Sequence, residues 1–172
     1  MSATPARLGR PQDVAVAASI HWPVMCLSGG SSSFWFCQDE TPGWGTEIDV
    51  FEIGGKAKGF EHKYHMTLHV TQTPQEKKHW SVGGVWISPW RLADAYHVYG
   101  LDWGKDEVKF YVDGVLVRSV ENTHWHQPLY LIFDSETMPK WFGMPDDRDL
   151  PSTFSVNTGS PAILISPRPM PR

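Results

Sequence analysis

Two cysteines in 172 residues, Cys26 and Cys37, are too few for a disulfide framework and stand at no metal-ligand spacing. Positive charge is also short. With 15 Lys and Arg against 19 Asp and Glu, the formal net charge is −4, and no basic surplus exists to neutralise a phosphate backbone or an anionic leaflet. No apolar run approaches the roughly 18 residues that a membrane-spanning helix needs. Neither nucleic acid nor membrane is therefore an expected partner. No long stretch keeps a 3.6-residue period, which argues against a helical fold. Gly and Pro, at 15 and 14 residues, stay below low-complexity proportions, and 41% hydrophobic content suffices for one core. The excess is aromatic. Nine Trp, five Tyr and eight Phe exceed what a core of this size requires, and a Trp offers a flat apolar face with a polar edge that suits a sugar ring.

Short runs rich in Val, Ile, Tyr, Phe and Trp recur with Gly or polar punctuation. They predict strands near 34–37, 46–53, 64–71, 82–88, 97–103, 107–112, 115–120, 129–135 and 153–157 of an all-β sandwich. Asp113-Gly114, set between two alternating apolar runs, predicts a two-residue type I′ hairpin. Residues 1–32 mix small residues, Pro and Gly without alternation, and residues 159–172 carry Pro161, Pro167, Pro169 and Pro171. Both ends are expected to be poorly ordered around a sandwich domain at 33–158. Arg7 and Arg10 ahead of the apolar stretch 14–20 imitate a signal peptide, but Asp13 interrupts it and no clean cleavage site follows.

The residues that carry chemistry lie in Trp44-Gly45-Thr46-Glu47-Ile48-Asp49-Val50-Phe51-Glu52-Ile53. Along a strand Glu47 and Asp49 share a face, while Glu52 falls on the other. One extra residue between Asp49 and Glu52, a β-bulge, brings Glu52 back. The two glutamates then sit about four steps apart, roughly 13 Å of strand, and side chains reaching toward each other leave about 5 Å between carboxyls. That is the separation of a retaining glycosidase, whereas inverting enzymes leave roughly 6.5–9.5 Å. An ordinary half-exposed acidic strand remains the alternative. Against it, three like charges on one face repel each other with no Lys or Arg among them, and crowding of this kind raises a carboxyl pKa.

The stretch Glu47-Ile48-Asp49-Val50-Phe51-Glu52 resembles the bulged catalytic motif of glycoside hydrolase family sixteen, the laminarinases, agarases, porphyranases and carrageenases. The similarity continues through Tyr99-Gly100-Leu101-Asp102-Trp103, Tyr111-Val112-Asp113-Gly114 and Pro128-Leu129-Tyr130-Leu131-Ile132. It implies a jelly-roll, concanavalin A-like β-sandwich of antiparallel strands with an open cleft for an extended polysaccharide. It also implies Glu47 as nucleophile, Asp49 as assistant and Glu52 as acid/base. The ends depart from the family pattern. The segment before Ser33-Phe34-Trp35-Phe36 is unpatterned, and Pro151-Ser152-Thr153-Phe154 runs into Asn157-Thr158-Gly159-Ser160-Pro161, so the sandwich is expected to be incomplete.

In His65-Met66-Thr67-Leu68-His69-Val70, alternation puts His65 and His69 on the face opposite the apolar residues, beside the acids. With the resemblance they are expected to contact sugar, together with Trp35, Trp44, Trp86 and Glu136; Asp134 shares a face with Glu136. No further ligands at zinc-like spacing accompany the histidines, and no metal is assigned. No organic cofactor is implied; the resemblance allows a structural Ca²⁺ without naming its ligands. The expectation is a retaining endo-hydrolase of a β-linked polysaccharide, with a marine galactan of the agarose or κ-carrageenan type first and a β-1,3-glucan second. A lectin-like sandwich without chemistry is the rival from another class. A monomer is expected if the sandwich is complete, and the substrate class implies work outside the cell or in the periplasm.

Overall fold

The computed structural model describes residues 6–8, 14–21, 30–38, 42–146 and 162–166. Its strands are β1 (Ala6–Leu8), β2 (Val14–His21), β3 (Gly30–Gln38), β4 (Gly45–Ile53), β5 (Lys63–Gln72), β6 (Trp80–Ile87), β7 (Tyr96–Trp103), β8 (Glu107–Val112), β9 (Val115–Glu121), β10 (Leu129–Thr137) and β11 (Ala162–Ser166). One short helix, α1 (Pro139–Phe142), follows β10. The strands form two antiparallel sheets, ordered β1-β10-β3-β4-β5-β6 and β11-β2-β7-β8-β9.

Alternation decides which side chains enter the space between the sheets. In β6 the residues Trp80, Val82, Gly84 and Trp86 are covered while Ser81, Gly83, Val85 and Ile87 are exposed. Phe34, Phe36, Ile48, Phe51, Tyr64 and Leu68 from the first sheet meet Tyr99, Leu101, Trp103 and Phe110 from the second in one core. The rings of Phe51 and Tyr99 touch across the sandwich at 4.6 Å. Each fully buried aromatic of this kind stabilises the fold by about 2–3 kcal/mol. The aromatic excess thus goes largely to packing. Trp103 and Trp125 are fully buried, and Trp80 and Trp86 lie against the same core.

The Asp113-Gly114 hairpin forms as expected, with positive φ at both residues, 51° and 79°, as a type I′ turn requires. Asp113 has a second task there. Its carboxylate accepts from the Val98 amide at 2.8 Å and lies 2.7 Å from His97 Nδ1, which ties the hairpin to the start of β7.

Three strands from the ends join the sheets. The segment at 14–20 that imitates a leader is the body of β2, paired with β7 along Val14↔Trp103 to His21↔Tyr96. β1 pairs with β10, and β11 pairs with β2. Pro161 and Pro167 stand just outside the ends of β11, so its ladder contains no proline. The strand expected at 153–157, and the rest of the segments expected to be poorly ordered, lie outside the described residues.

Arg118, on β9, reaches through the core to donate to the backbone carbonyls of Met66 and Val82, which fastens β5 and β6 from beneath. Space for this is made by Gly84, where a Cβ would lie 2.6 Å from the guanidinium.

Candidate active site

β4 carries an extra residue where the acids require one. On its β5 side Asp49 pairs with Thr67 and Glu52 with His65, so Val50 and Phe51 oppose Met66 alone. On its β3 side Phe51 pairs with Phe34 and Asp49 with Trp35, which leaves Val50 without an opposite residue. This is a β-bulge, and it sends Val50 and Phe51 both into the core, each 0% exposed. The Tyr64 hydroxyl, itself buried, donates to the Val50 carbonyl at 2.7 Å and satisfies a group that the broken ladder releases.

Register then lays the cleft out in three rows across the first sheet. One runs Cys37–Glu47–His69–Ser81, the next Trp35–Asp49–Thr67–Gly83, and the third Asp134–Ser33–Glu52–His65–Val85. Ser33, Trp35, Glu47, Asp49, Glu52, Asp134, Glu136 and Met138 line a hollow of about 160 Å³. Five of these are carboxylates, and no cation is among them.

The acids hold protons unusually well. Burial, then the charge of Asp49, pushes Glu47 up from 4.5 to about 7, while His69 pulls it back. Burial lifts Asp49 from 3.8 to about 7 against a hydrogen bond with Glu47. Glu52 rises furthest, from 4.5 to about 8, through burial first and the negative charge of Asp49 second. Burial and mutual repulsion thus hold all three carboxyls toward the protonated form near neutral pH, Glu52 most strongly. His69 Nε2 lies 3.0 Å from Asp49 Oδ2 and 4.0 Å from Glu47 Oε1. Behind it His79 stacks on the ring at 5.5 Å, with Nε2 3.2 Å from His69 Nδ1.

The remaining candidates divide. Trp35 lines the hollow, and its indole N–H donates to Asp134 Oδ2 at 3.1 Å; Glu136 lines it as well. His65 sits beside Glu52 but is 9% exposed, covered by Trp141 at 5.0 Å and accompanied by Phe60 and Phe142. Burial lowers its pKa. Trp86 faces the inter-sheet side, where it meets Tyr64 edge-on at 6.4 Å, so its place in the strand turns it away from the cleft. Trp44 is half-buried, just ahead of β4 and outside the hollow's lining. Cys37 is a free thiol, and Cys26 lies outside the described residues.

Sequence reasoning did not single out Ser33, Met138, His79 or the role of Trp125. Trp125 stands in the loop between β9 and β10. Its indole N–H donates to both the Glu47 carbonyl, at 3.0 Å, and the His69 carbonyl, at 3.1 Å. Its own carbonyl accepts from Trp103 at 2.7 Å and from Asn122 at 2.9 Å. The pair of strands bearing Glu47 and His69 is thereby anchored from the core.

Glu47, Asp49 and His69 bring one donor atom each within 4.8 Å of one another. A set containing an imidazole is not the all-oxygen shell that Ca²⁺ takes, and the structure provides no calcium assignment.

The sequence model of a family described as glycosyl hydrolases family 16 matches residues 16–139. The chain belongs to that family. Its relatives include a glucan endo-1,3-beta-glucosidase A1 of Niallia circulans, 31% identical over 129 residues, which cover 64% of this chain and 18% of that protein. A kappa-carrageenase of Pseudoalteromonas carrageenovora is 29% identical over 94 residues, covering 50% of this chain and 23% of the relative. The chain thus spans less than a quarter of the curated relatives it matches. Among solved structures, a family 16 endo-glucanase from Bacteroides ovatus superposes with a TM-score of 0.66 at 22% identity, over 84% of this chain and 63% of that one. That likeness shows the fold, the jelly-roll β-sandwich.

Proposed function

We propose that this family 16 chain carries the catalytic centre of a retaining endo-glycoside hydrolase acting on an uncharged β-linked polysaccharide, an agarose-type galactan or a β-1,3-glucan. One observation carries the reading. The Val50 bulge puts Glu47, Asp49 and Glu52 on one open face, and that face makes Glu52 a carboxylic acid still protonated near neutral pH, with a pKa of about 8. A carboxyl that keeps its proton can deliver it to a departing glycosidic oxygen. Glu47 is hydrogen-bonded to Asp49, and with the proton of that bond on Asp49 its carboxylate attacks the anomeric carbon. The bond to the leaving oxygen breaks as the bond to Glu47 forms. Glu52, now ionised, takes a proton from water, which displaces Glu47 and leaves the anomeric centre in its starting configuration. His69, 3.0 Å from Asp49, keeps the assisting carboxylate aimed at the nucleophile.

The charge of the hollow narrows the substrate. No Lys or Arg stands among the lining residues to receive a sulfate ester, which disfavours κ-carrageenan and porphyran beside agarose and laminarin. The relatives named for a 1,3-glucan and for carrageenan support both backbones as candidates.

Reducing-sugar release from agarose, κ-carrageenan, porphyran and laminarin tests the reading, with the anomer of the first product followed by NMR. Products of retained configuration from an uncharged polymer are expected. An aryl β-glycoside should still glycosylate Glu47 in Glu52→Ala, and azide should rescue that variant as the β-glycosyl azide, whereas Glu47→Ala should lose turnover on every substrate. Binding without product, or a product of inverted configuration, would refute the proposal.

A further inference from the structure

β6 is an edge strand of the first sheet, and its cleft-facing positions are Ser81, Gly83, Val85 and Ile87. Glycine is a poor choice in a strand, since it loses the most conformational freedom on folding and packs nothing. The two adjacent glycines of β6 therefore each need a reason. For Gly84 it is Arg118, whose guanidinium occupies the space of a side chain. Gly83 has no such neighbour. A Cβ built on it meets nothing within 4 Å, and its φ lies outside the left-handed region that favours glycine. Neither backbone conformation nor packing within the described structure accounts for it.

Its place in the register does. Gly83 pairs with Thr67, Thr67 with Asp49 and Asp49 with Trp35, so it ends the middle row of the cleft. Glu47 and Glu52 stand on the rows to either side. A glycosidic bond held between the two glutamates therefore directs its sugar chain along the middle row, over Trp35 in one direction and over Thr67 toward Gly83 in the other. Two strand spacings separate Asp49 from Gly83, about 10 Å, which is within the span of the sugars flanking the cleaved bond. Exposed Val85 and the Ser81 position border this gap.

We infer that Gly83 is a specificity determinant: its missing side chain leaves an open track over the edge strand, along which the polysaccharide continues past the cleavage point. The inference rests on the proposed hydrolase reading and adds to it the path of the chain. The bareness of this row is what permits an internal bond of a long polymer to reach the acids. A side chain at 83 would rise into the path of the sugar backbone without touching protein.

The series Gly83→Ala, Gly83→Val and Gly83→Leu tests this, measured on laminarin and agarose and on their shortest cleaved oligosaccharides. Open space around the position means that melting temperature stays unchanged or rises, because each replacement suits a strand better than glycine does. Polymer kcat/KM is expected to fall in the order Ala, Val, Leu, to at least tenfold at Leu and mainly through KM. The loss should shrink as the substrate is shortened. Folded variants that retain full polymer kcat/KM would overturn the inference, as would an equal loss on the shortest oligosaccharide, which would mean that the acids themselves had been disturbed. A wild-type chain inert toward all four polymers would overturn the hydrolase reading, and the inference with it.

Discussion

Replacing Glu52 by Gln should make the protein more stable in alkali while abolishing its general acid. The folded state lifts this carboxyl from 4.5 to about 8, so the native protein binds its proton more tightly than the unfolded chain does. The contribution of that proton is complete below about pH 4.5 and disappears as the pH rises through about 8. At roughly 1.4 kcal/mol per pH unit, the full effect is about 5 kcal/mol. Glu52 is half-buried, and solvent screening reduces the expected figure to about 2–4 kcal/mol. Glutamine has nearly the same shape and no charge at any pH. Urea denaturation of wild type and Glu52→Gln at pH 4.5 and at pH 9 isolates the contribution of Glu52, because Glu47 and Asp49 titrate in both chains. The two proteins should unfold together at pH 4.5. At pH 9 the variant's midpoint should lie higher by about 1–2 M urea, given slopes of about 2 kcal/mol/M. A difference in stability that does not change with pH would refute the claim that the fold holds Glu52 in its acid form.

Trp35→Ala should weaken binding of a long oligosaccharide by about 1–3 kcal/mol, measured by calorimetry, and should lower stability by about 1–3 kcal/mol because Asp134 Oδ2 loses its donor. Trp86→Ala should act on the fold alone, destabilising it by about 3–5 kcal/mol in denaturant melts, since its ring is packed against the core. Trp125→Phe keeps a ring but removes the N–H shared by the Glu47 and His69 carbonyls; kcat should fall with KM unchanged, and stability should drop by about 1–2 kcal/mol. Tyr64→Phe strands the Val50 carbonyl and should cost about 1–3 kcal/mol, read by the same melts.

The bulge was legible because three carboxylates spaced as Glu47, Asp49 and Glu52 can share a face only if the strand holds one residue more than its neighbours. The Asp113-Gly114 turn was legible for a similar reason, since few dipeptides accept positive φ twice. What the sequence hid was decided by partners distant in the chain. The apolar stretch of β2 lacks alternation and reads as part of an unpatterned segment; its strand comes from pairing with β7, distant in the chain. In β6 both faces carry apolar residues, Trp80, Val82 and Trp86 on one and Val85 and Ile87 on the other, so alternation could not say which way Trp86 points. His65 was placed on the correct face, but α1, whose Trp141 and Phe142 cover it, is a single turn too short to leave a periodic signal. Trp125 lies in a loop, where no pattern announces a buried indole.

The bulge in β4 also determines which genetic changes the site can survive. Because β3 skips Val50 and β5 sets a single residue against Val50 and Phe51, the catalytic face is encoded by how many residues separate Asp49 from Glu52 as much as by their identities. Another apolar residue at 50 keeps the count, and the acids stay in line. Loss of a single codon between 49 and 52 is a different event. It leaves Asp49 and Glu52 two positions apart, so a regular ladder keeps all three acids on one face without a bulge, and the cost falls instead on the core, which loses the side chain of Val50 or Phe51.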